Sequence, residues 1–180
     1  MKTMLIYSNL LIVFLLFGCN TTEQKIITDV QPMPFDTNSI AIKTSNYKDV
    51  KGQLLYLPVY SSIPYNIDTM KYLTNMSAFV AIHNTDLRNK IRITQVLYFN
   101  TDGKLVDDFL KGKVKILEPL AAVDFYVPFE DKSGTGANFL IEWQADSLVN
   151  EPLIESITMN LTNNQSGVIL SQGKIIREIK

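Results

Sequence analysis

The sequence has very little of several residue types on which common functional sites depend. It contains one cysteine and one histidine, which excludes an internal disulfide, a cysteine-cluster metal site and any site built on several histidines. Lysine and arginine number 17 against 18 for aspartate and glutamate, so the basic excess of a nucleic-acid-binding protein is missing. We therefore expect no nucleic-acid partner, no metal and no cofactor. A chain of 180 residues suits one compact domain.

Long hydrophobic runs are also missing, and the run near the N-terminus is short. Leu10 to Phe17 is apolar throughout, but it falls far short of the roughly 20 residues that a membrane-spanning helix needs. Lys2 precedes it, and a positive charge before a short apolar run is typical of a secretory signal peptide. The next residues, Leu16-Phe17-Gly18-Cys19, resemble the lipobox of bacterial lipoproteins, in which the cysteine receives a diacylglycerol and becomes the new N-terminus. An ordinary secretory signal with a chance cysteine, or an uncleaved anchor, is the alternative.

These features divide the chain into three parts. Residues 1–18 are predicted to be a lipoprotein signal peptide, so that lipid on Cys19 would anchor the protein to a membrane of the bacterial cell envelope. Residues 19–51 are predicted to be a polar tether, in which Ser39 to Thr44 could add an edge strand. Residues 52–180 are predicted to form the folded domain.

The third part shows short β-rich runs bounded by turn residues. Met76, Ala78, Val80 and Ile82 alternate onto one face of the run Tyr72 to His83, while Ser77, Phe79, Ala81 and His83 take the other. A change of phase at Thr94-Gln95 predicts a β-bulge, and Asp102-Gly103 predicts a type I′ hairpin turn. The other predicted strands are Gln53 to Tyr60, Ile91 to Asn100, Lys104 to Leu110, Lys113 to Leu117, Ala121 to Val127, Ala137 to Gln144, Leu153 to Leu161 and Val168 to Ile176. We expect an all-β fold, an antiparallel immunoglobulin-like β-sandwich of about 7–9 strands.

Five stretches of this domain carry a family resemblance. The most specific is SGTGANFLIEWQAD (Ser133 to Asp146). The others are LYLPVYSSI (Leu55 to Ile63), IHNTD (Ile82 to Asp86), ITQVLYFNTDGKLV (Ile93 to Val106) and PLIESI (Pro152 to Ile157). Together they resemble an uncharacterised bacterial family, domain of unknown function 3124. Members resemble secreted or lipid-anchored proteins, so the resemblance implies an envelope location, and it implies no catalytic residue.

Candidate binding residues lie in two of these stretches. Tyr56 and Tyr60 belong to an aromatic cluster next to Ser61, and aromatic rings near strand ends can stack on sugars or peptides; packing at the edge of a sandwich is the alternative. Asn138 and Glu142 share the polar face of their strand, where Glu142 could contact a partner or simply be solvated. Trp143 alternates onto the opposite face with Phe139 and Ile141, which predicts a core position. The Gly-rich run Ser133 to Gly136 is either a glycine turn or a binding edge.

Other residues that could carry chemistry lack partners in the sequence. His83 is expected on the solvent-facing side of a strand end without a ligand role. The adjacent acids Asp107-Asp108 point to opposite faces of a strand, so they do not converge as the two carboxylates of a glycosidase must. Asp68-Thr69-Met70 and Asp146-Ser147-Leu148 match a short O-glycosylation pattern of some bacterial envelope proteins.

The sequence thus predicts a cell-envelope lipoprotein whose non-enzymatic β-sandwich binds a protein, peptide or glycan partner. The alternative is a metal-dependent or hydrolytic envelope enzyme that uses Glu142, Asn138 and acids of the loops. A purely structural subunit is a third reading.

Overall fold

The computed structural model describes residues 51–64, 72–162 and 165–179, which form strands and connecting turns. The strands are β1 (Lys51–Pro58), β2 (Ser62–Pro64), β3 (Leu73–Asn75), β4 (Ser77–His83), β5 (Ile91–Phe99), β6 (Leu105–Asp108), β7 (Lys115–Leu117), β8 (Ala122–Val127), β9 (Asn138–Ala145), β10 (Leu153–Thr162), β11 (Gln165–Gln172) and β12 (Lys174–Ile179). Within these ranges no helix is long and apolar enough to cross a membrane. The predicted signal peptide, Cys19, residues 20–50 of the tether with its edge strand, and Asp68-Thr69-Met70 lie outside the described residues, whereas Lys51, the last residue of the predicted tether, begins β1.

Two antiparallel sheets face each other as a sandwich. The larger sheet has the order β12-β1-β9-β5-β6, and β7 pairs with the other end of β5. The smaller sheet has the order β11-β10-β4-β8, and β2 pairs with β3. The predicted all-β antiparallel sandwich is confirmed, and the described residues form twelve strands rather than about 7–9. Its immunoglobulin-like character stays a prediction.

The core lies between the two sheets and follows the alternation of the strands. Phe139, Ile141 and Trp143 of β9 have exposed fractions of 0, 0 and 3%, and they face Val80 and Ile82 of β4, which are fully buried. Both predictions of inward-facing residues on these strands are therefore confirmed. Complete burial of one such side chain contributes roughly 1.5–3 kcal/mol to folding.

Two predicted strands are interrupted, and each interruption has a local cause. The run Tyr72 to His83 breaks at Met76, whose N–H donates a 2.9 Å hydrogen bond to the carbonyl oxygen of Ser61 instead of a neighbouring strand. The run Val168 to Ile176 breaks at Gly173, which carries the chain from the smaller sheet to the larger one. A Cβ on Gly173 would lie 3.1 Å from Cδ2 of Leu55, so this crossing has little room for a side chain.

The bulge in β5 and the hairpin between β5 and β6 are confirmed, but the predicted type I′ geometry of the turn is wrong. The pairing of β5 with β9 shifts register between Ile93 and Gln95, which places the extra residue at Thr94. A type I′ turn needs a positive φ at both central residues, whereas only Gly103 has one, at 72°. The Asn100 side chain explains the difference, because its Oδ1 accepts hydrogen bonds from the N–H groups of Asp102 and Lys104 at 3.0 and 2.9 Å. The turn is thus a longer loop that ends in a left-handed glycine.

Candidate binding surface

Ser61 is buried, and its hydroxyl makes hydrogen bonds within the fold. Its Oγ accepts a 2.6 Å hydrogen bond from the N–H of Gly134 and donates a 3.1 Å hydrogen bond to the carbonyl oxygen of the same residue. Gly134 has a φ of +99°, a conformation that residues with a Cβ rarely adopt. The predicted binding residue Ser61 is therefore 1% exposed and joins the end of β1 to the Gly-rich run.

Further hydrogen bonds hold the same Gly-rich run. Asp131 accepts hydrogen bonds from the Tyr98 hydroxyl and from the N–H of Ser133, at 2.8 and 2.9 Å. Thr101 Oγ1 donates to the carbonyl oxygen of Ser133 and accepts from the N–H of Gly136, both at 2.9 Å. Burial, reinforced by the Asp131 carboxylate, raises the pKa of Tyr98, so its hydroxyl stays protonated and keeps donating. These contacts favour a fixed glycine turn over a mobile binding edge.

The IHNTD stretch (Ile82 to Asp86) forms a second joint, that is, a place where side-chain hydrogen bonds hold separate segments together, as Ser61 and Gly134 do in the first. Asn84 Nδ2 donates to the carbonyl oxygens of Asn89, Leu117 and Glu118 at 2.9–3.1 Å. Asp86 accepts hydrogen bonds from the N–H groups of Arg88 at 2.8 Å, Asn150 at 3.0 Å and Asn89 at 2.7 Å. These N–H donors hold the pKa of Asp86 below its ordinary value. The polar residues of this stretch thus fasten three loops together at one end of the sandwich.

Glu142 lies on the outer face of the larger sheet, where it is 1% exposed rather than solvated. Its Oε1 accepts a 2.6 Å hydrogen bond from the Thr94 hydroxyl and a 2.9 Å hydrogen bond from Nε2 of Gln144. Its Oε2 has no hydrogen-bond partner in the described part of the chain, and neither does Oε1 of Gln144. A buried carboxylate with one unpaired oxygen lowers the free energy of unfolding.

The other predicted binding residues are spread over the larger sheet. Tyr56 and Asn138 share the outer face with Glu142, since Tyr56 pairs with Leu140 and Asn138 pairs with Pro58. Asn138 and Glu142 are four residues apart on β9, which separates them by about 13 Å along the strand. Tyr56 is 37% exposed, and Tyr60 is half-buried where the chain leaves β1. The structure therefore brings three of the five residues to one face but does not gather them into one site.

The outer face of the smaller sheet, which we call the apolar–acidic face, has a different character. Its register aligns Leu170, Ile157, Phe79 and Tyr126 in one row across all four strands. Leu170 is 74% exposed and Tyr126 is 55% exposed, and neighbouring Leu161 and Val168 are 69 and 59% exposed. Many large apolar side chains on one face indicate a contact surface, because scattered single ones would need no explanation.

A shallow depression of about 260 Å³ lies in the middle of the apolar–acidic face. Its floor is Ala81, whose small side chain stands between Glu155 of β10 and Asp124 of β8. These neighbours are each one strand away, so the two acidic residues flank the depression about 10 Å apart. His83 lines one end of it and lies on the outer face, as predicted, although it is half-buried rather than fully exposed. The outward positions of these four strands carry no lysine or arginine, so the face is acidic.

Sequence reasoning missed this surface, although it assigned one strand of it correctly. The alternation that places Phe79, Ala81 and His83 outward is visible in the sequence. The positions of Asp124 and Glu155 beside Ala81 depend on cross-strand register between distant segments, which alternation within one strand does not reveal. Among the described residues, no group of three or more His, Cys, Asp and Glu side chains could hold a metal ion.

Comparisons with known proteins identify a family and little more. The model of a family described as "Protein of unknown function (DUF3124)" matches residues 52–176. No curated protein matches the chain. A solved structure from Thermotoga maritima, titled "Crystal Structure of Thermotoga maritima 1070", is 9% identical over 68% of this chain and 92% of that chain, with a TM-score of 0.43. A likeness of that size carries no argument about function.

Proposed function

This chain belongs to the DUF3124 family of proteins of unknown function, and on that premise we propose that it is a cell-envelope lipoprotein whose sandwich binds a basic protein partner without catalysing a reaction. The partner binds the apolar–acidic face, and a lysine or arginine side chain enters the depression over Ala81. The observation that carries the proposal is the combination of two flanking carboxylates with the apolar row that ends in the exposed side chains of Leu170 and Tyr126.

The apolar rows would supply most of the affinity of this contact. Removing apolar surface from water contributes roughly 25 cal/mol per Å² before the losses of association are counted. Tyr126 and Phe79 stand side by side in one row, and aromatic side chains are enriched at protein interfaces. A sheet face with apolar side chains from all four strands suits a folded protein surface better than a small molecule.

The acidic pair would supply specificity. A lysine or arginine can lay its aliphatic stem over Ala81 and Phe79 while its charged end meets Asp124 or Glu155. Rings of Phe79 and Tyr126 can add a cation–π contact with the same charge. Complementary charges at such a surface raise the association rate and exclude wrong partners more than they raise affinity.

A binding role accounts for the polar residues better than a catalytic one. Ser61, Asn84, Asp86 and Asp131 use their side chains to fasten loops of the fold. The enzyme alternative relied on Asn138, Glu142 and acids of the loops, and about 13 Å of strand separates Asn138 from Glu142.

Membrane anchoring through Cys19 is tested separately from partner binding. We expect the Cys19→Ala protein to leave the membrane fraction, because two or three acyl chains anchor a protein stably without a membrane span. A Cys19→Ala protein that still sediments with membranes after a carbonate wash contradicts the anchoring proposal. A Ser147→Ala protein, altered at an exposed loop position, serves as the control that stays membrane-bound.

Partner binding is tested by a photo-reactive phenylalanine analogue placed at Tyr126 or, as a matched control, at Tyr56. Both tyrosines are exposed, and they lie on the outer faces of opposite sheets. We expect a discrete cross-linked protein from position 126 in cells, none from position 56, and loss of the product when Asp124→Lys and Glu155→Lys are added. Cross-linking from position 56 alone would move the contact to the face of Tyr56, Asn138 and Glu142. No protein product from position 126 would contradict the proposed partner.

A further inference from the structure

The edge strand β11 differs from the other free edges in having no charged residue. Its eight residues, Gln165–Gln172, are QSGVILSQ, and it pairs with β10 alone among the described strands. By contrast, the edge strand β8 carries Asp124, and β12 carries Lys174, Arg177 and Glu178. Natural proteins protect free strand edges with charges, prolines or short lengths, and β11 has none of these. This edge is therefore built to accept another strand.

The side chains at the centre of β11 are apolar and exposed. Val168 and Leu170 point to the apolar–acidic face with exposed fractions of 59 and 74%. Ile169 between them points inward and is half-buried, because only one neighbouring strand, β10, covers it. A strand added at this edge would bury apolar surface on both faces of the sheet at once.

We propose that the added strand is β11 of a second copy of this chain, paired antiparallel about a two-fold axis at Ile169. An antiparallel two-fold axis stands perpendicular to the sheet, so outward residues of one copy meet outward residues of the other. When the axis passes through Ile169, Val168 lies opposite Leu170 of the second copy, and Ser166 lies opposite its Gln172. On the inward face Gly167 meets Ser171. Apolar residues thus meet apolar ones, polar residues meet polar ones, and no charge is buried.

The neighbouring register is a poorer fit, which makes the choice of axis specific. Centred on Val168, the pairing would place Ser166 opposite Leu170 of the second copy and separate the apolar residues. In the register centred on Ile169, seven residue pairs from 166 to 172 would form roughly six to eight backbone hydrogen bonds. The product is an eight-stranded sheet with two apolar–acidic faces side by side. This inference goes beyond the proposed function, since it needs neither the lipid nor the partner protein.

The self-complementary register is tested by changing charge at Val168 and Leu170 in the full chain, purified in detergent and measured by sedimentation. We expect the unchanged chain to be a dimer. We expect Val168→Lys with Leu170→Lys to halve its mass, because the new ammonium groups face each other across the axis. Val168→Lys with Leu170→Glu should restore the dimer, because each ammonium then faces a carboxylate of the second copy. Leu153→Lys with Leu161→Lys, which adds the same charge to β10 one strand inside the edge, should leave the dimer intact.

Three results would overturn the proposal. The first is a chain that stays monomeric at about 100 µM, because a dimer with a dissociation constant below that concentration would be populated there. The second is a dimer that survives both lysines on β11. The third is failure of the lysine–glutamate pair to restore the dimer while circular dichroism shows a folded chain, which would indicate that Val168 and Leu170 do not lie opposite each other across the axis.

A disulfide provides an independent measurement of the axis. Residues opposite each other on antiparallel strands have Cβ atoms about 4.5–5.5 Å apart, close to the reach of a disulfide. Ile169→Cys should therefore form a covalent dimer under mild oxidation. The unchanged chain, which carries Cys19 alone, and Ile176→Cys on the edge strand β12 should not. Equal cross-linking at 169 and 176 would contradict the assignment to β11.

Discussion

The joint between Ser61 and Gly134 gives a prediction whose size follows from the structure. Replacing Ser61 by alanine removes two hydrogen bonds to one residue, at 2.6 and 3.1 Å. Each neutral hydrogen bond contributes about 1 kcal/mol to the net free energy of unfolding. Because the N–H of Gly134 would lose its acceptor in a part-buried position, the loss of that bond costs about 1–2 kcal/mol in place of about 1 kcal/mol. We expect Ser61→Ala to lower the free energy of unfolding by about 2–3 kcal/mol.

Urea denaturation followed by tryptophan fluorescence measures this change. For a domain of this size, the slope of stability against urea is about 2 kcal/mol per molar, so the midpoint should fall by about 1–1.5 M. The matched control is Ser77→Ala, because the Ser77 hydroxyl makes one long hydrogen bond, at 3.4 Å to Met159. That control should change stability by less than about 0.5 kcal/mol.

Two further variants check the mechanism of the Ser61 effect. Gly134→Ala should be at least as damaging, because its φ is positive and the new Cβ would collide with the Thr101 hydroxyl. Tyr98→Phe, which removes the hydroxyl that holds Asp131, should combine with Ser61→Ala less than additively, because both changes release the same loop. If Ser61→Ala and Ser77→Ala have the same midpoint, the reasoning is wrong and Ser61 returns to being a candidate binding residue.

Three other predictions rest on separate parts of the fold. Glu142→Gln should raise stability by about 1 kcal/mol in urea, because the amide keeps both acceptor contacts and removes a buried charge with an unpaired oxygen; a loss of stability would show that the charge is compensated. Backbone N–H donors lower the pKa of Asp86 in the folded protein, and Arg92 lowers that of Asp146. The stability that these two carboxylates contribute is therefore complete above the unfolded pKa, near 3.9, and is lost as the pH falls below it. The melting temperature should therefore drop below about pH 4, and less steeply in Asp86→Asn; an equal slope in both proteins would contradict this. Trp143 should emit at short wavelength and resist quenching by iodide until unfolding, since it is 3% exposed; ready quenching of the folded protein would place it outside the core.

The features of the fold that are determined within a single strand could be predicted from the sequence. Inward alternation at Phe139, Ile141 and Trp143 is a local pattern, and so is the change of phase that produces the bulge at Thr94. The hairpin at Asp102-Gly103 was predicted correctly but its turn type was not, because a side chain two residues earlier, Asn100, accepts the N–H groups that decide the turn. Local composition favoured one turn type, and a specific hydrogen bond selected another.

The candidate site was harder to predict because it depends on which strands are neighbours. Glu142 has the alternation of an outward residue, and the sequence therefore suggested solvent, whereas the structure buries it beside Thr94 and Gln144. Ser61 was singled out because it follows an aromatic stretch, but its partner Gly134 is 73 residues away. Asp124, Ala81 and Glu155 form one row only after three separate strands have paired.

Two of the five stretches that carry the family resemblance, Ile82 to Asp86 and Pro152 to Ile157, supply His83, Glu155 and Ile157 to the apolar–acidic face, and the other three lie elsewhere in the sandwich. Leu55 to Ile63, Ile93 to Val106 and Ser133 to Asp146 build β1, β5 and β9 of the larger sheet together with the joints around Gly134. Phe79, Ala81, Asp124 and Tyr126, as well as all of β11, lie outside those stretches. The hydrogen bonds at Ser61 and Asp86 hold the loops, and the core lies between the two sheets. Substitutions on the apolar–acidic face therefore remove few buried contacts. Surface changes of that kind usually alter the free energy of unfolding by less than about 0.5 kcal/mol. Binding and folding should therefore be separable in this protein: charge reversal at Asp124 and Glu155 should leave the urea midpoint unchanged, and Ser61→Ala should lower it without changing which protein is cross-linked from position 126.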